Sequence, residues 1–83
     1  MIKLNKDIEY EKIDDEMLIL VLETKSFYKL NKTGSQIFEL ISNEKVYDTV
    51  IDKFSKLNNI IKEEAKEDID YFIKDCKIKK IIY

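Results

Sequence analysis

The chain has 83 residues, the size of one small domain, and we expect residues 1–83 to form a single domain. It is 45% hydrophobic and 39% charged, a composition typical of globular rather than disordered proteins. The 15 basic and 17 acidic residues are spread along the chain and give a net charge of −2, so the concentrated basic excess of a nucleic-acid-binding protein is absent.

The first 30 residues show the patterns of three β-strands. Loose alternation over residues 7–13 predicts the first, and residues 14–16 form an acidic turn. The short apolar run at residues 17–22 favours a central strand that is covered to some degree on both faces. After a reversal at residues 23–25, residues 26–30 form the third strand. Strands this close in sequence pair most easily as antiparallel neighbours, so two of the three must have an unpaired edge.

From residue 32 onward the apolar period lengthens to about 3.6 residues, which is typical of helices. The pattern predicts helices over residues 33–42, 47–57 and 62–77. Their apolar faces contain, in turn, Ile37, Phe38, Leu40 and Ile41; Val46, Val50, Ile51, Phe54 and Leu57; and Ala65, Ile69, Phe72, Ile73 and Cys76. Strands grouped before helices predict an α+β fold rather than a parallel α/β sheet.

Three local signals refine the helical part. Asn31 is a good N-cap for the first helix. Gly34 in its first turn costs up to about 1 kcal/mol relative to alanine, which indicates close packing of the backbone against a neighbour. Residues 79–83 end the chain with apolar side chains, and we expect this tail to dock on the core.

The sequence shows no recognisable catalytic, metal or cofactor site. Histidine, the commonest general base and metal ligand, is absent. Cys76 lies on the apolar side of the third helix, where we expect a core thiol rather than a nucleophile. Residues 14–16 lack the spaced oxygens and glycine of a calcium loop, and a single glycine provides no phosphate-binding loop. We therefore expect no enzymatic activity.

The cellular location is predicted from the absence of membrane-spanning, signal-peptide and disulfide features in the sequence. No apolar run approaches the roughly 20 residues that span a bilayer, and the N-terminus does not resemble a signal peptide. A single cysteine permits no internal disulfide, which is natural in a reducing compartment. We expect a cytoplasmic protein that does not enter membranes.

Three helices beside a small sheet also suggest a winged helix, whose third helix often reads DNA. Acidic residues outnumber basic ones over residues 62–77, so repulsion from phosphates should outweigh attraction. A winged-helix transcription regulator is therefore an alternative that the charge pattern contradicts. A second alternative is a structural subunit that holds an enzyme complex together without binding peptide.

Several stretches carry a resemblance to a known family. They are residues 15–20 (DEMLIL), 27–34 (FYKLNKTG), 37–41 (IFELI), 68–73 (DIDYFI) and the pair Ile81-Ile82. The chain resembles, over roughly residues 8–82, the PqqD-like family. Its members are the small proteins or domains called RiPP recognition elements, which serve the makers of ribosomally synthesised, modified peptides. The most specific part is the stretch aromatic-Tyr-x-Leu-Asn-x-Thr-Gly.

Four positions depart from the family pattern. Phe38 stands where many members have Trp, and Cys76 replaces a usual Leu. Ile61 occupies the place of a polar cap on the third helix, and Lys80 stands where a Gly commonly ends it. Without that Gly a left-handed cap is costly, so the end of this helix is expected to run differently here.

The resemblance implies a winged-helix-like fold of three antiparallel strands and three helices. It also implies that the leader region of a precursor peptide adds a strand to the third strand and lies in the groove beside the third helix. The partner enzyme would be a peptide-modifying one, such as a radical SAM enzyme, a protease or a cyclase. No cofactor, metal or nucleic acid is implied.

The implied binding residues form two sets. The strand edge would be offered by Ser26, Phe27, Tyr28, Lys29 and Leu30, and the helix wall by Lys66, Ile69, Asp70, Ile73 and Lys77. For some of them a structural role is the alternative: Tyr28, Leu30 and Ile69 as core residues, and Lys66 and Lys77 as solvated side chains.

Overall fold

The structure, a computed structural model, describes all 83 residues. Its elements are β1 (Ile8–Ile13), β2 (Glu16–Val21), β3 (Ser26–Leu30), α1 (Lys32–Asn43), α2 (Tyr47–Asn58) and α3 (Lys62–Ile78). Each element begins and ends within one residue of the position predicted from the sequence. The predicted α+β fold of three antiparallel strands followed by three helices is confirmed.

The three strands form an antiparallel meander in the order β1-β2-β3. Ile19 in the central strand lies opposite Tyr10 of β1 and Tyr28 of β3, and all three side chains lie on the face that meets the helices. The chain reverses through left-handed residues, Asp14 with φ 55° before β2 and Lys25 with φ 55° before β3. Such short connections force neighbouring strands to run antiparallel.

One hydrophobic core of 17 buried residues joins the sheet to the helices. Alternation in β2 directs Met17, Ile19 and Val21 inward, where all three are buried. Phe38 of α1 is fully buried, and its ring meets that of Tyr10 edge to face with centroids 4.9 Å apart. The core therefore lies on one side of the sheet only.

The beginning of α1 is fixed as predicted. The Gly34 N–H donates to the Asn31 side-chain oxygen at 2.8 Å, which is the expected N-cap hydrogen bond. A Cβ atom placed on Gly34 would lie 3.3 Å from that oxygen and 3.6 Å from the Phe72 ring. The close packing expected at this glycine is therefore present, and it brings α1 near α3.

The end of α3 does not run differently from the family pattern. Lys80 adopts the left-handed conformation with φ 63°, although it is not glycine. The Ile81 N–H donates to the Cys76 carbonyl at 2.8 Å, and the Lys80 N–H donates to the Lys77 carbonyl at 3.2 Å. These two bonds are those of a Schellman motif, so the chain tolerates the conformational cost at Lys80 instead of changing course.

The C-terminal tail docks on the core, as predicted, and the N-terminal segment lies beside it. Ile81 and Ile82 are buried. The Asn5 N–H donates to the Ile81 carbonyl at 2.9 Å, and the Tyr83 N–H donates to the Lys3 carbonyl at 2.8 Å. Backbone hydrogen bonds thus tie both ends of the chain together next to α3.

One expectation about burial is confirmed and one is wrong. β2 is central and covered to some degree on both faces: Met17, Ile19 and Val21 are buried, while Leu18 and Leu20 point away from the helices and are half-buried. Val46 and Leu57, assigned to the apolar face of α2, are exposed. All three helices share one side of the sheet, so the opposite face of the sheet has no partner and the margins of α2 reach solvent.

Candidate functional site

The outer edge of β3 is unpaired. β3 hydrogen-bonds to β2 on one side and has no strand on the other. Every second residue of an edge strand directs its N–H and C=O groups outward, where they can template another strand. Of the five residues of β3, Leu30 is buried, while Phe27 is 72% exposed.

The other edge of the sheet, on β1, is less suited to accept a strand. Three of its six residues are charged, and Lys12 pairs with Glu39 of α1 at 2.8 Å. Charged side chains on an edge oppose the addition of a further strand. β3 is therefore the edge that is open to a partner.

A groove of about 360 Å³ runs beside this edge, between β3, the first turns of α1 and one flank of α3. Its apolar floor is made by Leu30, Ile37 and Phe72, all of which are buried side chains of the core. Its rim on α3 is formed by Asp68, Tyr71, Asp75 and Lys79. Residues three and four positions apart share a face of a helix, which is why these four form one row.

The rim carries charged groups of both signs. Lys79 forms an ion pair with Asp75 at 2.8 Å, and this hydrogen bond raises the pKa of the Lys79 ammonium group. Lys29 of β3 forms an ion pair with Glu16 at 3.1 Å. Asp68 makes no ion pair and leaves an uncompensated carboxylate at the rim. Tyr71 is 77% exposed, so its aromatic ring is accessible to a ligand in the groove.

The structure brings two of the five predicted edge residues to this groove, and none of the predicted helix wall. Lys29 and Leu30 line the groove, and Phe27 lies on the same strand with its side chain on the outer face of the sheet. Ser26 and Tyr28 point toward the core side, where Tyr28 is half-buried. The implied role of these residues in peptide binding stays a prediction.

The five predicted wall residues lie elsewhere on α3. Ile69 is fully buried in the core. Asp70, Ile73 and Lys77 line a separate depression that includes Tyr47 of α2. Lys66 lies on the same flank, four residues before Asp70. Because helix positions are about 100° apart, this flank and the groove flank lie on opposite sides of the buried stripe.

Side chains on the second flank already bind each other. The Tyr47 hydroxyl donates to the Asp70 carboxylate, and Lys66 pairs with the same carboxylate at 2.9 Å. The hydrogen bond from Tyr47, followed by that from Lys66, holds the pKa of Asp70 below its usual range. The network connects α2 to α3, which is a structural role.

Sequence reasoning missed the rim residues Asp68, Tyr71, Asp75 and Lys79. The flank of α3 that faces β3 depends on which side of α3 packs against α2, and no local pattern encodes that choice. The one signal was Tyr71, an aromatic side chain outside the apolar stripe. Exposed aromatic residues are enriched at binding surfaces.

Cys76, the single cysteine, is poorly placed to act as a nucleophile. Cys76 is fully buried, and burial raises the pKa of its thiol to about 12, so the reactive thiolate is scarce at neutral pH. The predicted core position of this thiol is confirmed. No three cysteine or carboxylate side chains come together as metal ligands. No helix is both long and apolar enough to cross a membrane.

Comparison with known proteins decides the family. The sequence model of the family described as coenzyme PQQ synthesis protein D (PqqD) matches residues 16–82. This chain belongs to the PqqD family. The match covers β2 to the docked tail, and therefore the whole groove of this PqqD-family protein. No curated protein sequence matches the chain.

Two solved structures share the fold. The first is TbiB1 in complex with the TbiA(beta) leader peptide, with a TM-score of 0.90 and 22% identity over 96% of this chain and 93% of that one. The second is lasso peptide synthetase B1 complexed with the leader peptide, with a TM-score of 0.85 and 17% identity over 99% of this chain and 96% of that one. At these identities the likeness establishes the common fold of the PqqD-family protein and these two proteins.

Proposed function

We propose that this PqqD-family protein binds the leader region of a ribosomally made precursor peptide by strand addition to β3 and presents it to a peptide-modifying enzyme. One observation carries the proposal: the unpaired edge of β3 lies directly beside an apolar groove that has an open rim on α3. An extended peptide gains affinity from backbone hydrogen bonds and selectivity from pockets for alternate side chains, and this arrangement offers both.

Family membership and the two structural neighbours support the proposal. Both neighbours were solved as complexes with leader peptides, and both have the same three strands and three helices as this chain. The acidic excess on α3 disfavours DNA as the ligand, because four of the carboxylates there have no basic partner to neutralise them: Glu63, Glu64, Glu67 and Asp68.

The proposed binding residues differ in part from those implied by the resemblance. β3 supplies the backbone edge at Ser26–Leu30. The helix wall is the row Asp68, Tyr71, Asp75 and Lys79, in place of Lys66, Asp70, Ile73 and Lys77. We propose that residues 1–83 act as one recognition domain without catalytic activity, in the cytoplasm, where the free thiol of Cys76 would stay reduced.

A backbone scan of the leader peptide tests strand addition. Single N-methyl groups are placed on successive leader amides, and each peptide is titrated into the protein by calorimetry. Residues of an added strand alternate between facing β3 and facing solvent, so affinity should fall at every second position over about five residues. Each lost hydrogen bond costs about 1 kcal/mol, or roughly a fivefold rise in Kd.

A different profile would contradict the proposal. If the sensitive positions recurred every three to four residues, the leader would bind as a helix. If N-methylation had no effect while side-chain truncation abolished binding, side chains alone would hold the peptide and the edge of β3 would have no role.

A further inference from the structure

The outer face of the sheet carries an apolar patch that neither the core nor the groove uses. In the central strand Leu18 and Leu20 point away from the helices, and Phe27 lies directly opposite Leu20. These three side chains, here called the outer patch, line a shallow depression of about 420 Å³. A sheet face that meets only water normally carries polar side chains, so the two leucines and the phenylalanine clustered here indicate a contact surface.

The charges around the outer patch are unbalanced. On β1, Glu9 lies opposite Leu20 and Glu11 opposite Leu18, so two carboxylates border the patch. Neither glutamate takes part in an ion pair. Lys29, on the β3 side, is already neutralised by Glu16 at 3.1 Å. A complementary surface would have apolar side chains bordered by lysine or arginine on the β1 side.

The position of the patch relates it to the proposed peptide edge. A strand added to β3 becomes the fourth strand of the same sheet, and its alternate side chains emerge on the outer face beside Phe27 and Lys29. A protein that covers the outer patch can therefore contact the bound peptide at the same time. The groove and α3 lie on the other side of the sheet and stay free.

We propose that the outer patch is the docking surface for the enzyme that modifies the precursor, through an apolar segment bordered by basic residues. This inference rests on the proposed leader-binding function and adds a second, separate contact surface to it. A second copy of the chain fits less well, because its own patch is bordered by Glu9 and Glu11 and the nearby Lys29 is already paired with Glu16. Like charges facing each other across an interface oppose association.

The test uses the full chain, the leader peptide and the purified enzyme that modifies the same precursor. The double variant Leu18→Thr/Leu20→Thr removes both leucines of the patch and introduces β-branched residues that suit a strand. The control Leu57→Thr removes an exposed leucine from α2, far from the sheet. Titrations measure binding of the leader and of the enzyme separately.

The patch variant should bind the leader within twofold of the parent protein, which also reports that it is folded. Its Kd for the enzyme should rise about tenfold or more, as for loss of an apolar anchor, and that of Leu57→Thr should not change. Glu9→Lys/Glu11→Lys should weaken enzyme binding and reduce its dependence on salt.

Three results would overturn the docking surface. The first is equal enzyme affinity of the parent and the Leu18→Thr/Leu20→Thr variant. The second is absence of enzyme binding by a parent protein that binds the leader. The third is self-association of the parent that the patch substitutions abolish, since a second copy would then cover the face. If the parent protein did not bind the leader, the proposed function would be contradicted. The enzyme titration would still test the outer patch in that case.

Discussion

The ammonium nitrogen of Lys79 lies 5.1 Å from the centroid of the Tyr28 ring. This contact joins the end of α3 to β3, and Lys79 is held in place by its ion pair with Asp75 at 2.8 Å. A cation over an aromatic ring is worth about 0.5–1 kcal/mol at an exposed site. Through Lys79, the α3 wall and the β3 wall of the groove contact each other at the C-terminal end of α3. Elsewhere along the groove the edge of β3 is accessible.

Substitutions on the two flanks of α3 should have different effects on the affinity for the leader. Tyr71→Ala removes an exposed aromatic side chain from the groove rim and should raise the Kd for the leader about tenfold, the usual effect of losing an interface aromatic. Lys77→Ala is the matched control on the other flank and should change Kd less than twofold. Fluorescence anisotropy with a labelled leader measures both. A strong effect of Lys77→Ala alone would move the site to the α2 side.

The contact of Asp70 with Tyr47 and Lys66 predicts a pH dependence of stability. The folded state lowers the pKa of Asp70 below its ordinary value of 3.8. Its contribution is therefore fully present above about that value, and it is lost as the pH falls through the lowered pKa. Because the carboxylate is 44% exposed, we expect only about 0.2–1 kcal/mol.

Urea unfolding of the parent and Asp70→Asn between pH 2 and pH 7 measures this contribution. The free energies of unfolding should differ at neutral pH and converge in acid. A difference that stayed constant to the lowest pH would show that the ionisation of Asp70 is not the cause.

Lys80→Gly should stabilise the protein. Lys80 occupies the left-handed position of the Schellman motif with φ 63°, a conformation that costs a side-chain-bearing residue about 1–2 kcal/mol. Glycine removes that cost but adds chain entropy to the unfolded state, about 0.5–1 kcal/mol, and it also loses the Lys80–Glu23 ion pair. We expect a net gain of about 0.5 kcal/mol in the free energy of unfolding. A loss in stability would mean that the ion pair outweighs the backbone strain.

Cys76 should be chemically silent in the folded protein. Its thiol is fully buried, and burial raises its pKa to about 12. At pH 8 the native protein should react with a thiol reagent only through unfolding, whereas protein in denaturant should react at once. Fast labelling under native conditions would place the thiol at the surface and contradict the packing of α3.

The sequence predicts the elements well because each has a strong local signal. The apolar period separates β2 from α1, and Asn31 and Gly34 mark the start of α1. Local patterns could not show that all the helices share one side of the sheet, so they left open which face of β2 is fully buried.

The same limit applies to the site. The edge at Ser26–Leu30 follows from alternation, whereas the helix wall depends on how α3 rotates about its own axis. That rotation is set by packing against α2, where Asp70 meets Tyr47. The predicted wall residues Asp70, Ile73 and Lys77 therefore lie on the flank beside α2, although the helix itself was placed within one residue.

Amide chemical-shift mapping tests the central claim most directly. The ¹⁵N-labelled protein is titrated with unlabelled leader peptide to saturation. The account predicts large shifts at residues 26–30 and at Asp68, Tyr71 and Asp75, with Lys66 and Lys77 nearly unchanged. Saturable binding that shifts Lys66 and Lys77 but leaves residues 26–30 unmoved would contradict strand addition to β3.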